Sequence, residues 1–185
     1  MIRSKNDLKE YLNEDNKFHW HKSHSIKYLR ISKDPYYYIW KYLVLLRKEE
    51  YYINNISKNK LNILLSFIYT RKKNDIGNKI GLCIPPNCVG KGVTIYHPNI
   101  IINANSKIGD YCIFHGNNCI GNNGNDIEAP VIGNNVDIGY SANIIGNVKI
   151  NSNITIGANA VVVNDFLKSY DTIVGVPAKS IKKVK

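Results

Sequence analysis

Residues 132–162 read IGNNVDIGYSANIIGNVKINSNITIGANAVV, and a large aliphatic residue returns at every sixth position: Ile132, Ile138, Ile144, Ile150, Ile156 and Val162. Gly follows at 133, 139 and 157, and the fourth residue after each beat is small or apolar: Val136, Ala142, Val148, Ile154 and Ala160. A period of six with two apolar positions matches neither the 3.6-residue α-helix nor the two-residue repeat of a flat strand. It matches short strands joined by tight turns and wound into a parallel β-helix, each coil pairing its backbone with the next at about 4.8 Å. The recurrent Ile fills the axis, while Gly and Asn supply turn conformations that other residues resist.

Upstream the beat continues through Ile120, Phe114 and Ile108 but lands on a polar residue at Asp126. Val89 and Ile95 keep the same spacing, and one extra residue then shifts the next beat to Ile102. The segment from Asn122 to Pro130 is rich in Gly and Asn and is expected to loop out of the repeat. Loops that interrupt a rigid scaffold tend to carry function.

The first eighty residues follow a different pattern and predict helices. Asp7 to Asn16 carries Leu8, Tyr11 and Leu12. A second helix starts after Asp34-Pro35, a fitting N-cap and first-turn pair, and places Ile39, Tyr42, Leu43 and Leu46 near helical spacing. A third is expected over about Lys60 to Lys72, with Leu61, Leu64, Leu65 and Ile68 apolar. The domain reading is therefore an α-helical region over 1–80 and a β-helix over 81–185, mainly β overall.

The chain has 185 residues, 44% hydrophobic and 21% charged, which excludes wholesale disorder. No stretch approaches the roughly 18 apolar residues of a membrane span, and MIRSKNDLKEYL lacks the apolar core of a secretory signal. A cytoplasmic protein with reduced thiols at Cys83, Cys88, Cys112 and Cys119 is expected. The net charge of +11 is uneven: residues 1–80 hold 17 Lys+Arg against 8 Asp+Glu, and residues 81–185 hold 8 against 6. A basic helical half suits a solvated surface or an anionic partner such as a membrane face; no nucleic-acid motif accompanies it. His19, His21 and His24 lack a Cys or carboxylate at ligand spacing, so no metal is expected.

The repeats beginning at Ile132, Ile138 and Ile156, with the closing Gly175-Val-Pro-Ala-Lys179, resemble the hexapeptide-repeat acyltransferases. Ile84-Pro-Pro-Asn, Tyr96-His-Pro, Ile120-Gly-Asn-Asn-Gly and Ala129-Pro-Val-Ile-Gly look most like the serine acetyltransferase branch. The helical stretch from Trp40 to Tyr52 is similar to relatives among capsule and surface-polysaccharide enzymes. The resemblance implies a left-handed β-helix, a homotrimer and acetyl-CoA sites between subunits.

Transfer of an acetyl group to a hydroxyl needs a base near neutral pH, for which histidine is suited, and donors for the oxyanion, which turn N–H groups can supply. The β-helix holds two histidines, His97 and His115. By resemblance His97 takes the place of the catalytic base. His115, one coil on, would position the acceptor or tune His97; a surface ladder residue is the competing reading. Two departures bear on the acceptor. The second histidine of serine acetyltransferases is matched here by Ala129, and an aspartate of theirs by Leu82. That leaves the orienting partner of His97 open, with Asp126 and Glu128 as candidates that would also shape the acceptor pocket. Motif carry-over assigns acetyl-CoA contacts to Gly139, Tyr140, Ala158, Val163, Asn164 and Lys179.

The expectation is an acetyl-CoA-dependent O-acetyltransferase acting on a sugar hydroxyl of a surface-polysaccharide precursor, with peripheral membrane association suggested by the basic half. The alternatives are N-acetylation of an amino sugar nucleotide, serine O-acetylation, a metal-dependent hydratase on the same fold, and a β-helix that only assembles with partners.

Overall fold

The computed structural model describes residues 1–19, 25–124 and 127–181. Four helices come first: α1 (Lys5–His19), α2 (Ile26–Ile31), α3 (Pro35–Ile53) and α4 (Leu61–Ile80), with a short 3-10 turn at Ile56–Lys58 before α4. Local chemistry fixes their starts. The Ser4 hydroxyl accepts from Asp7 N at 3.0 Å while the Asp7 carboxylate accepts from Arg3 and Ser4 N at 2.8 and 3.0 Å, capping α1. Asp34 caps α3 by accepting from Tyr36 N at 2.9 Å, and Pro35 fills the first turn. Gly81, at φ +69°, ends α4 in the left-handed region and turns the chain into the first coil.

Two helix expectations change. α2 has only six residues and none of them is buried, so its sequence carries no packing face to detect. α4 runs to Ile80, well past Lys72. Its buried residues are Ser66, Lys73 and Gly77, small or paired, while the apolar Leu61 and Leu64 point outward. Leu65 and Ile68 of the expected stripe are half-buried, so only part of it faces the fold, and Ile76 and Ile80 further along pack against the core.

The remainder is a parallel β-helix, as its six-residue period implies, and left-handed, as the resemblance implies. The first coil carries β1 (Leu82–Cys83) and β2 (Thr94–Ile95); the second carries β3 (Ile100–Ile102), β4 (Lys107–Ile108) and β5 (Ile113–Phe114). The third holds β6 (Asn118–Gly121), β7 (Val131–Ile132) and β8 (Asp137–Ile138), and the fourth β9 (Asn143–Ile145), β10 (Lys149–Ile150) and β11 (Thr155–Ile156). β12 (Val161–Val162), β13 (Thr172–Val174) and the antiparallel β14 (Lys179–Ser180) close the stack.

Three faces result. The first stacks β1-β3-β6-β9-β12, the second β4-β7-β10, and the third β2-β5-β8-β11-β13. The beat residues form the inward columns: Ile102, Ile120, Ile144 and Val162 on the first face, Ile108, Ile132 and Ile150 on the second, Ile95, Phe114, Ile138, Ile156 and Ile173 on the third. All are buried.

Asp137 pairs with Thr155, the regular step of eighteen residues. Ile113 pairs with Asp137, six residues more, and the surplus is the loop before β7, between the first and second faces. The single extra residue lies elsewhere. Ile95 pairs with Phe114 and Ile100 with Asn118, so four residues, Tyr96–Asn99, turn the corner where His115–Asn117 are three.

The helical segment docks on the first coils through Ile39, Tyr42, Leu43 and Leu46 of α3, which join the coil core, and through a buried ionic cluster. Arg47, with no exposed surface, donates Nε to Asp15 at 2.8 Å and Nη1 to Glu50 at 3.0 Å and to the Val89 carbonyl at 2.9 Å. Asp15 also accepts from Gly92 N at 2.7 Å, and Glu50 from Asn87 N at 2.8 Å. Burial disfavours the guanidinium charge, but Glu50 and Asp15 more than offset that and hold Arg47 protonated. Nearby, Lys73 pairs with Glu49 at 2.7 Å, also out of solvent.

Candidate active site

The corner joining the third face to the first gathers the two histidines. Each turn there ends in a left-handed residue: Asn99 (φ 62°), Asn117 (56°), Ser141 (59°) and Asn159 (58°). Asn and Ser tolerate that conformation, which explains the recurrent Asn of the repeat. Backbone bonds tie successive turns, from Asn117 N to Pro98 O (3.0 Å), Ser141 N to Gly116 O (3.0 Å) and Asn159 N to Tyr140 O (2.9 Å). His97-Pro98, Gly116, Tyr140 and Ala158 thus climb one edge.

His97 is exposed and sits in the turn with the extra residue. Above it Gly116 adopts φ +114°, and a Cβ there would lie 2.6 Å from His97 Cβ. The missing side chain leaves room for the histidine, whose ring meets that of Tyr140 edge-on at 6.3 Å. Among the described residues no carboxylate pairs with His97.

The oriented imidazole is the other one. His115 Nε2 lies 2.8 Å from Asp137 Oδ1, with side chains 39% and 41% exposed, and Tyr96 packs edge-on to the ring at 5.1 Å. An ionised Asp137 can only accept, so Nε2 of His115 carries the proton in this contact, and Nδ1 has no partner among the described residues. The register explains the contact, since Asp137 is stacked on Ile113, two residues before His115.

Asn118 braces both turns from inside. It is 2% exposed, its Oδ1 accepts from Gly116 N at 3.0 Å, and its Nδ2 donates to Gly139 O and Ala142 O at 2.8 and 3.0 Å. The hexad beat offered a signal for it: a polar residue at an inward position where the other coils place Val136, Ala142, Val148, Ile154 and Ala160. Asp137 had no such mark, because an outward strand position accepts any polar residue.

One difference separates this corner from its neighbour. Between the second and third faces, the N–H groups of Lys91, Asp110 and Asn134 are taken by Asp110 Oδ1 (3.0 Å), Asn134 Oδ1 (2.8 Å) and Ser152 Oγ (2.9 Å) of the next coil. The equivalent N–H groups of Tyr140 and Ala158, each following the coil glycine, have no partner among the described residues. Side chains cannot cap them, because the residue one coil up from Tyr140 is Ala158. The edge carrying His97 therefore holds two unclaimed backbone donors.

A cleft of about 280 Å³ opens beside the corner on the first face, lined by Gly81, Asn99, Ile101, Asn117, Cys119 and Asn143. It holds amides, one apolar platform and a thiol, and no carboxylate or cation. Leu82 and Ala129, the positions of the two departures, are both 4% exposed and face the core. Cys88 and Cys112 are inert in chemistry: burial pushes each thiol up to about 11.

Gly139, Tyr140 and Ala158 share the histidines' edge. Val163 and Asn164 follow β12 at the opposite edge of the first face, exposed, and Lys179 is exposed on β14. Glu128 lies in the loop between the first and second faces, accepting from Asn147 Nδ2 at 2.6 Å. It is at a different corner from His97. Asp126, His21 and His24 lie outside the described residues, and of His19 only the backbone is described. Among the described residues no three His, Cys, Asp or Glu side chains gather as a metal site. No described helix is long and apolar enough to cross a membrane.

No family model and no curated protein matches the chain. Solved structures do. A serine acetyltransferase from Neisseria gonorrhoeae is similar over 97% of this chain and 68% of its own, with 22% identity and a TM-score of 0.71. Soybean serine acetyltransferase matches over 96% and 70%, with 22% identity and a TM-score of 0.69. A serine acetyltransferase in complex with CoA matches over 96% and 71%, with 21% identity and a TM-score of 0.66. At these identities the likeness establishes the shared fold, helical region included.

Proposed function

We propose that this chain is an acetyl-CoA-dependent O-acetyltransferase with His97 as general base. The observation that carries the proposal is the edge where an exposed imidazole and the unclaimed N–H groups of Tyr140 and Ala158 share one column. The shared fold with a CoA-bound acetyltransferase supports the donor.

In the proposed reaction the acceptor hydroxyl gives its proton to His97 as its oxygen bonds to the acetyl carbonyl carbon. The charge that develops on the carbonyl oxygen meets turn N–H groups. Collapse breaks the carbon–sulfur bond, and the thiolate leaving group takes the proton back from His97. His115, fixed by Asp137, holds the acceptor through Nδ1. Bringing both substrates to one edge removes much of the entropic barrier. Val163 and Asn164 lie away from this edge within one chain, whereas Lys179 pairs with Val174 at its upper end. A homotrimer in which a neighbouring copy supplies Val163 and Asn164 would complete the acetyl-CoA groove.

Two acceptors are in play. Serine is supported by the solved neighbours, two of which are complexes with serine. A neutral sugar hydroxyl, as on a surface-polysaccharide precursor, is favoured by the residues here: Leu82 and Ala129 are buried and apolar, and the first-face cleft at this corner is lined by no charged side chain. A zwitterion gains little from amides alone. The test is thiol release from acetyl-CoA against serine and a panel of sugars and sugar nucleotides. Turnover with one acceptor, falling about a hundredfold to ten-thousandfold in His97→Ala, is expected. No turnover with any acceptor, or full turnover in the variant, contradicts the reading.

A further inference from the structure

The outer surface of α4 is apolar where solvent should meet it. Leu61, Ile63, Leu64 and Phe67 are between 54% and 64% exposed, and Ile56 in the preceding turn is 40% exposed. All of them sit on or beside the first two turns of the helix, at one end of the α3–α4 hairpin. Scattered single apolar residues on a surface are ordinary, but five within twelve positions form a patch.

The charge around the patch is predominantly positive. Lys58, Lys60, Arg71 and Lys72 are exposed at its margins, and Lys58 Nζ donates to the Arg3 carbonyl at 3.4 Å, bringing the exposed Arg3 to the same end. From Tyr51 to Asn74 the chain has no acidic residue. The nearest acids on α3, Glu49 and Glu50, are 2% exposed and committed to Lys73 and Arg47. Cations therefore outnumber acids at this end of the surface, where the nearest other acids are Asp75, one turn beyond Arg71 and Lys72, and Asp7, bonded to the Arg3 N–H.

We propose that this end of the molecule docks on an anionic lipid bilayer, with Leu61, Leu64 and Phe67 entering the headgroup boundary and the surrounding cations meeting lipid phosphates. An apolar tip with a basic rim is the composition that binds such surfaces. A second copy is the less favourable occupant, because a two-fold contact would set one cationic rim against the other. The inference does not rest on the acyl-transfer reading.

The test uses the full chain with vesicles of phosphatidylcholine alone and of phosphatidylcholine mixed with phosphatidylglycerol. Wild type should partition onto the anionic vesicles at low salt, be released at about 0.5 M salt, and ignore the neutral ones. Leu64→Ser with Phe67→Ser should weaken partitioning by about tenfold or more, the scale of two large apolar side chains left in water. Melting temperature and solution mass should stay unchanged. Absence of binding at low salt, or equal binding by the double variant, overturns the proposal. So does a fall in solution mass on substitution, which would mean that a second copy covers the patch.

Discussion

His97 depends on two neighbouring anomalies: a turn one residue longer than those above it and a glycine in the next coil. Gly116 combines φ +114° with the 2.6 Å approach of a notional Cβ to His97 Cβ. Gly116→Ala should cost about 1–3 kcal/mol, lowering the melting temperature, and should depress kcat by displacing the proposed base. Unchanged kcat would mean that His97 is not held by that contact. Asp137 acts on the second histidine. Asp137→Asn replaces an obligate acceptor with a group that also donates, so the single His115 tautomer is lost. Acceptor kcat/KM should fall about tenfold with acetyl-CoA affinity unchanged, and imidazole ¹⁵N shifts should report mixed tautomers. A surface ladder residue would leave both readouts untouched.

At the scale of elements, the junction between helices and coils adds a buried ionic cluster to an apolar contact in which Ile39, Tyr42, Leu43 and Leu46 join the coil core. Arg47 bridges Asp15 on α1, Glu50 on α3 and the carbonyls of Val89 and Gly90. Removing one partner of a buried pair strands the others. Arg47→Ala should cost about 3–5 kcal/mol in thermal or denaturant unfolding; a loss below 1 kcal/mol would show the cluster to be solvated. The sequence pattern carried the β-helix far better than this junction. Six-residue recurrence of Ile132 to Val162 reports a strict inward column, so coil boundaries and the loop at Asn122–Pro130 were legible. The helical half was less so, since α4 buries Ser66, Lys73 and Gly77 and exposes Leu61 and Leu64. An amphipathic pattern names the apolar face, and in the first turns of α4 Leu61 and Leu64 on it are outward. The site was legible in part: the two histidines stood out by scarcity, whereas Asp137 comes to His115 only through coil register, and Asn118 is visible as a polar residue on an inward beat.

At the scale of the molecule, a β-helix repeats one turn, and function enters where the repeat is relaxed. Capped N–H groups at one corner and unclaimed ones at Tyr140 and Ala158 distinguish a structural edge from the edge proposed to bind acetyl-CoA. The long loop and the apolar tip of α4 lie away from that edge, leaving it open to two small substrates. The most direct test is calorimetric titration of acetyl-CoA into wild type and His97→Ala. Both should bind with similar affinity while only wild type turns over, which separates donor binding by the turn backbone from proton transfer by the imidazole. Failure of wild type to bind acetyl-CoA would contradict the account and leave the β-helix as a scaffold.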